Sequence, residues 1–282
     1  MADRFIRIIP KLDIKNGLLI KGINLEGLRI LGDPFEYAKF YSRFFADEIC
    51  YLDNVATLYG TNNLTKFIKR TSENLKIPLL AGGGVKKIED IKKILNSGAD
   101  RVCLNSAVFK NPKIVSDAAK IFGSSTISVL IEYTKINNKY FLTYSNGRDL
   151  VNKDPLSWAK KMEDLGAGEI ILTSVRHEGL MKGCDLKIPE QVSSKVKIPV
   201  LSHGGVGKKE DVLKLVNNTN ISGVLIAGFF HYGICHSLPF KKKIVGNKDY
   251  LSSVNKTKFK MKNNLINLKK YLKSKGINVR HQ

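Results

Sequence analysis

Short runs rich in Val, Ile and Leu alternate with amphipathic stretches along most of the chain. The runs predict strands at Arg7–Leu12, Glu48–Asp53, Ile77–Ala81, Arg101–Leu104, Ile127–Glu132, Glu169–Thr173, Val200–Ser202 and Gly223–Ala227. Between them apolar residues take helical spacing, at Pro34–Phe45, Asn63–Asn74, Ile88–Ser97, Pro112–Phe122, Pro155–Leu165, Ile188–Ser194 and Lys209–Asn217. Eight strands alternating with helices predict a parallel sheet, and that number closes into a single (β/α)8 TIM barrel, an α/β fold.

The pattern also repeats. Asp13 and Glu132 lie 119 positions apart, Leu52-Asp53 and Leu172-Thr173 lie 120 apart, and Gly83-Gly84 and Gly204-Gly205 lie 121 apart. Asn105-Ser106-Ala107-Val108-Phe109 is answered by Ala227-Gly228-Phe229-Phe230 at a similar offset. A period near 120 predicts two half-barrels of four βα units, with equivalent loops at equivalent depth. The pattern lapses after Cys235. The expected organisation is a barrel over 1–235, a Lys-rich insertion over 236–262, and a closing C-terminal helix and tail over 263–282. That helix is expected from Asn263 to Lys275, stopped by Gly276.

Composition narrows the picture little. At 282 residues and 43% apolar content, the chain can bury one sizeable core. It shows neither a signal peptide nor an apolar run of membrane-spanning length, and a cytoplasmic protein without a membrane partner is expected. Cys50, Cys103, Cys184 and Cys235 are too widely spaced for a metal cluster, so neither a metal nor another cofactor is expected. The formal net charge of +22 comes from lysines spread along the chain with many Asn and Ile. Without a nucleic-acid-binding motif or an aromatic-interleaved basic stripe, that surplus better suits phosphorylated substrates and an acidic protein partner than nucleic acid.

Candidate chemistry gathers at the strand ends. Ala81-Gly82-Gly83-Gly84 and Ser202-His203-Gly204-Gly205 each follow a strand and open a helix, so backbone N–H groups can approach phosphate oxygens. The repeat supplies two such sites: Gly82, Gly83, Asn105 and Ser106 on one side, and Gly179, Gly204, Gly205, Ala227 and Gly228 on the other. Asp13 and Glu132 end the first and fifth strands and should face each other across the mouth, where barrels place acid/base groups. Alternation points Lys11 inward beneath Asp13, and pairing there would hold Asp13 ionised. His177 and Glu178, after the sixth strand, are further acid/base candidates.

Lys11-Leu12-Asp13-Ile14-Lys15-Asn16-Gly17, Ile20-Lys21-Gly22-Ile23-Asn24, Gly32-Asp33-Pro34, Gly82-Gly83-Gly84, Asn105-Ser106, Gly166 to Ser174 and Gly276 to Arg280 occur in this order. Together they resemble the cyclase subunit of imidazole glycerol phosphate synthase (HisF), across nearly the whole chain except 236–262. The resemblance implies a glutaminase partner, HisH-like, as heterodimer. Ammonia would pass up the barrel axis to a bisphosphorylated ribonucleotide at the mouth. It further implies an ammonia gate of Arg7, Glu48, Arg101 and Glu169, with Arg in place of the usual Lys at 101. Asp13 matches the catalytic acid, followed by Lys21, and Glu132 and Glu178 stand at the positions of further carboxylates.

The departures lie at the mouth. Glu132 replaces Asp, Lys11 and His203 replace small residues, Gly228 replaces a common Ser, and Arg176-His177-Glu178-Gly179-Leu180 replaces an Asp-Arg-Asp-Gly-Thr pattern. Three readings follow: a histidine-pathway cyclase; a paralogue supplying ammonia to another acceptor, such as an amidino-sugar for surface polysaccharide; and a non-catalytic docking platform and ammonia conduit.

Overall fold

A computed structural model of the chain describes residues 4–53, 64–235 and 264–280. Strand β1 (Arg7–Lys15) continues past the barrel rim into an antiparallel excursion, β2 (Leu18–Ile23) and β3 (Glu26–Gly32). Helix α1 (Pro34–Arg43) leads to β4 (Ile49–Asp53), α2 (Leu64–Asn74) to β5 (Leu79–Gly82), and α3 (Ile88–Asn96) to β6 (Arg101–Leu104). Two helices, α4 (Ser106–Lys110) and α5 (Lys113–Phe122), precede β7 (Ile127–Ile136), which has its own excursion, β8 (Lys139–Tyr144) and β9 (Asp149–Val151). The second half runs through α6 (Pro155–Asp164), β10 (Glu169–Ser174), α7 (Lys187–Ser193), β11 (Val200–His203), α8 (Lys209–Asn217), β12 (Gly223–Ile226) and α9 (Gly228–Ile234). The last helix described is α10 (Asn264–Ser274).

Parallel pairing follows β1-β4-β5-β6-β7-β10-β11-β12 and closes from β12 back to β1, with Arg7 opposite Gly223. The expected barrel is therefore present. Its halves repeat in detail, down to Asp33 and Asp154, whose carboxylates cap α1 and α6 ahead of Pro34 and Pro155. Both rim excursions extend their strands beyond the expected ends at Leu12 and Glu132. Their two-residue turns, Asn16-Gly17 (φ 50° and 77°) and Asn137-Asn138 (φ 46° and 62°), have the left-handed backbone that tight hairpins require. The Lys-rich stretch lies outside the described residues.

Alternation along the strands fills the interior in layers. Arg7, Glu48, Arg101 and Glu169 form the floor. Above them Ile9, Cys50, Leu80, Cys103, Leu130, Ile171, Leu201 and Leu225 pack into an apolar cluster with Leu52. The next inward positions turn polar: Lys11, Glu132, Thr173 and His203, all buried.

Helix α10 is fastened near the floor. The buried Lys269 Nζ donates to Asp47 Oδ1 and to Phe45 O, each at 2.7 Å, while Asp47 Oδ2 accepts from the Ile8 amide at 2.7 Å. Lys269→Met strands a buried carboxylate, so a loss of about 3 kcal/mol is expected in denaturant unfolding.

Candidate active site

Asp13 on β1 and Glu132 on β7 come from opposite half-barrels, both are buried, and the Asp13 charge is felt at Glu132. Lys11, two residues before Asp13 on the same inward face, is buried and its Nζ donates to Asp13 Oδ1. Burial opposes the lysine's charge, but the Asp13 and Glu178 carboxylates outweigh it and raise the Lys11 pKa above the ordinary value. The backbone beneath is held as well. Strand β12 ends at Ile226, and His231 Nε2 of α9 bonds the Lys11 carbonyl at 2.8 Å. The Tyr41 hydroxyl bonds the other ring nitrogen, Nδ1, at 2.7 Å. Burial lowers the His231 pKa to about 3, so the ring is a neutral strut.

Glu132 is enclosed. Asn105 Nδ2 donates to its Oε1 and the Gly147 amide to its Oε2, both at 2.7 Å. Burial pushes its pKa up to about 7, against the pull of the Gly147 amide, Lys11 and Asn105. A carboxyl poised there can give or take a proton near neutrality. The Asn105 amide suits either state: Nδ2 now serves the carboxylate, and a half-turn presents the bare Oδ1 to a protonated Glu132.

A cavity of about 50 Å³ adjoins Glu132, lined by Asp53, Gly83, Gly84, Asn105, Ser106 and Asn146 among others. Gly83 has φ 111°, and a Cβ there would lie 2.3 Å from the Asp53 carbonyl oxygen, so this turn requires glycine. Gly82 does not line the cavity; it packs against the Cys103 backbone one step deeper. The related cavity in the other half is smaller, about 10 Å³, and Gly179, Gly204, Gly205, Ala227 and Gly228 all line it. Met181 also lines this cavity, and its Sδ would lie 3.3 Å from a Cβ placed at Gly228. Helices α4 and α9 begin at the two cavities, as equivalent loops in a duplicated barrel should.

Lys21 and Glu178 lie beside this second cavity as a buried ion pair that joins β2 to the loop after β10. Lys21 also donates to Gly22 O at 2.8 Å, and Glu178 Oε2 accepts from the Leu25 amide at 3.2 Å. Burial alone would raise Glu178, but Lys21 and His203 hold its carboxyl well below the usual carboxylate range. His177 sits elsewhere, in a flanking groove with Tyr133, Tyr140 and Asp185, where its Nδ1 meets Ser174 Oγ at 2.8 Å. The sequence reading missed Asp53, Asn146 and the Gly147 amide; the Asn146-Gly147 pair was the available turn signal.

On the floor the four charges close a ring. Arg7 reaches Glu48 at 3.3 Å and also pairs with Glu169; Arg101 reaches Glu169 at 2.5 Å and also pairs with Glu48. The planar guanidinium of Arg101 spans both carboxylates, which an ammonium could do only as a point charge.

Many enzymes share this fold, but a doubled half-barrel with matching cavities narrows the class to (β/α)8 barrels built by internal duplication. Within it, the chain belongs to the family described as "Histidine biosynthesis protein", which it matches over residues 7–236. It is 47% identical over 207 residues to the imidazole glycerol phosphate synthase subunit HisF of Legionella pneumophila, covering 73% of this chain and 98% of that one. The subunit of the same name from Lactococcus lactis subsp. lactis is 42% identical over 243 residues, covering 86% and 94%. That from Bacillus cereus (strain G9842) is 39% identical over 239 residues, covering 84% and 95%.

Proposed function

We propose that the chain is the cyclase subunit of an imidazole glycerol phosphate synthase. It takes ammonia from a separate glutaminase subunit and uses it on a bisphosphorylated ribonucleotide. The observation that carries this reading is that equivalent loops of the two half-barrels form glycine-lined cavities, the first beside Glu132 and the second beside Lys21 and Glu178, so one elongated substrate can anchor both phosphates across the mouth. The named relatives favour this reading over delivery of ammonia to another acceptor or a passive docking platform.

Asp13 and Glu132 are the acid/base pair. Gly83, Asn105 and Ser106, with Gly82 shaping the turn, take one phosphate; Gly179, Gly204, Gly205, Ala227 and Gly228 take the other. Lys21 and Glu178 hold the β2–β3 excursion against the second site, and its strongly lowered pKa makes Glu178 a poor proton donor. Arg7, Glu48, Arg101 and Glu169 gate ammonia at the floor. The glutaminase then docks on the floor side, opposite the mouth.

The test is glutamine-driven turnover after mixing with a HisH-type glutaminase. Arg101→Met leaves Glu48 and Glu169 only Arg7 to share, at a cost of about 3 kcal/mol in unfolding. In the complex, its ratio of glutamine-driven to ammonia-driven turnover is expected to fall below that of the unaltered chain. An unchanged ratio would remove the gate from the account.

A further inference from the structure

Equivalent loops build the two cavities, yet the cavities differ in size. The first has about 50 Å³ of room and the second about 10 Å³, which is space for a single water. A phosphate group is larger than that, so something must leave the second cavity before a phosphate enters. The duplicated barrel supplies its own comparison, because Asn105-Ser106 on the first side corresponds to Ala227-Gly228 on the second. Position 228 has no side chain, and Met181 reaches into the room this leaves.

Two glycines show how closely Met181 is seated. Neither Gly207 nor Gly228 is among the glycines with positive φ, so backbone conformation does not require them. A Cβ on Gly207 would lie 2.0 Å from the Met181 carbonyl oxygen and 2.9 Å from the Met181 Cβ. A Cβ on Gly228 would lie 3.3 Å from Met181 Sδ and 3.6 Å from its Cγ. Both positions leave space, and Met181 fills it. Met181 itself has φ 53°, a left-handed backbone that residues with a side chain seldom hold. Strain of this kind gathers at ligand clamps and switches.

The other side chains lining this cavity are tied down. Lys21 and Glu178 hold each other, and Glu178 also accepts from the Leu25 amide. His203 bonds the Leu225 carbonyl through Nδ1, while Val206, Leu225 and Ile226 are buried in the core. Met181 is only half-buried, and its unbranched, flexible thioether chain repacks readily. It can leave by rotation about side-chain bonds, with no ion pair broken.

We propose that Met181 is a displaceable plug of the second phosphate cavity, seated there in the free chain and swung out when a phosphate group enters. This rests on the bisphosphate-binding reading above and adds a specificity-determining residue to it. Filling the second cavity must undo the apolar contacts of the thioether. A lone phosphate therefore fills it poorly, whereas a substrate already anchored by its first phosphate brings the second at high local concentration.

Two measurements on the full chain test the plug. With methyl-labelled methionine, the Met181 resonance is identified by its loss in Met181→Ala. It is expected to shift and sharpen as the bisphosphate is added, and to do so with inorganic phosphate only at higher concentration. Sodium chloride at matched ionic strength should leave it still. Met181→Ala is expected to tighten phosphate binding and to lower KM for the bisphosphate about fivefold, the effect of no longer exposing a half-buried thioether. KM for ammonia should not change. Met181→Gly, suited to the left-handed backbone, serves if the alanine variant does not fold.

A methyl resonance that ignores both phosphates, or a KM for the bisphosphate that is unchanged or raised in the variant, overturns the plug. Displacement by inorganic phosphate in a chain that does not convert the bisphosphate would keep the plug and reject the cyclase reading. Ordinary turnover with an unmoved methyl would do the reverse, so the two failures are separable.

Discussion

Asp13→Asn is expected to lower ammonia-driven turnover by about 10²- to 10⁴-fold, the usual contribution of a positioned proton-transfer group. The same change removes the carboxylate that Lys11 touches and leaves a buried ammonium without its nearest counter-charge. A stability loss of about 3–5 kcal/mol should accompany it, reduced to the extent that Glu178 compensates. The two effects separate in a double variant. Lys11→Met with Asp13→Asn is expected to recover much of the stability, since no lone charge remains, while turnover stays low. Denaturant unfolding and initial rates on the three variants check both halves of the prediction. Recovery of activity along with stability would make Asp13 a structural partner of Lys11.

Glu132→Gln is expected to reduce turnover over the same range, and it carries a pH signature in its stability. Burial holds the Glu132 pKa up at about 7, above the ordinary 4.5, despite Gly147, Lys11 and Asn105. The native chain therefore takes up this proton more readily than the unfolded one. The stabilising contribution of the protonated form is fully present below about pH 4.5 and is lost as pH rises through about 7. Gln cannot ionise, so the variant should gain on the unaltered chain by about 2–3 kcal/mol between mildly acidic and mildly alkaline pH. It can also keep both partners, accepting from the Gly147 amide and donating to a turned Asn105. Unfolding midpoints at the two pH values give the difference, and the turnover profile should lose its limb near neutrality. Parallel stability curves would show that Glu132 does not titrate there.

The barrel was legible because its signals are local. Eight apolar runs, their helices and the period near 120 all lie along the chain, and strand alternation places Lys11 under Asp13 without further information. The floor charges followed from the family resemblance, and the structure brings all four into one ring. What escaped was set by contacts between distant segments. The β2–β3 and β8–β9 excursions carry Asn16-Gly17 and Asn146-Gly147 turn signals, but nothing in sequence says that the second turn folds back to donate an amide to Glu132. Glu178 reads as an acid/base candidate until its ion pair with Lys21, 157 positions away, is seen. His177, its neighbour, faces a different groove because adjacent residues in that turn point apart. Gly82 reads as part of a phosphate loop, yet its hydrogen side packs on Cys103. The short helices α4 and α9 were absorbed into glycine- and small-residue turns, being too brief to show helical periodicity.

The most direct test of the central claim is turnover of the bisphosphorylated ribonucleotide by the isolated chain supplied with ammonium salt, with Asp13→Asn as control. It bypasses the glutaminase and interrogates the mouth alone. The account predicts formation of imidazole glycerol phosphate at an ordinary enzymatic rate, lowered by about 10²- to 10⁴-fold in the Asp13 variant. Binding of the bisphosphate without any turnover would contradict it, and would mean that the two cavities and the ammonia route serve a different acceptor.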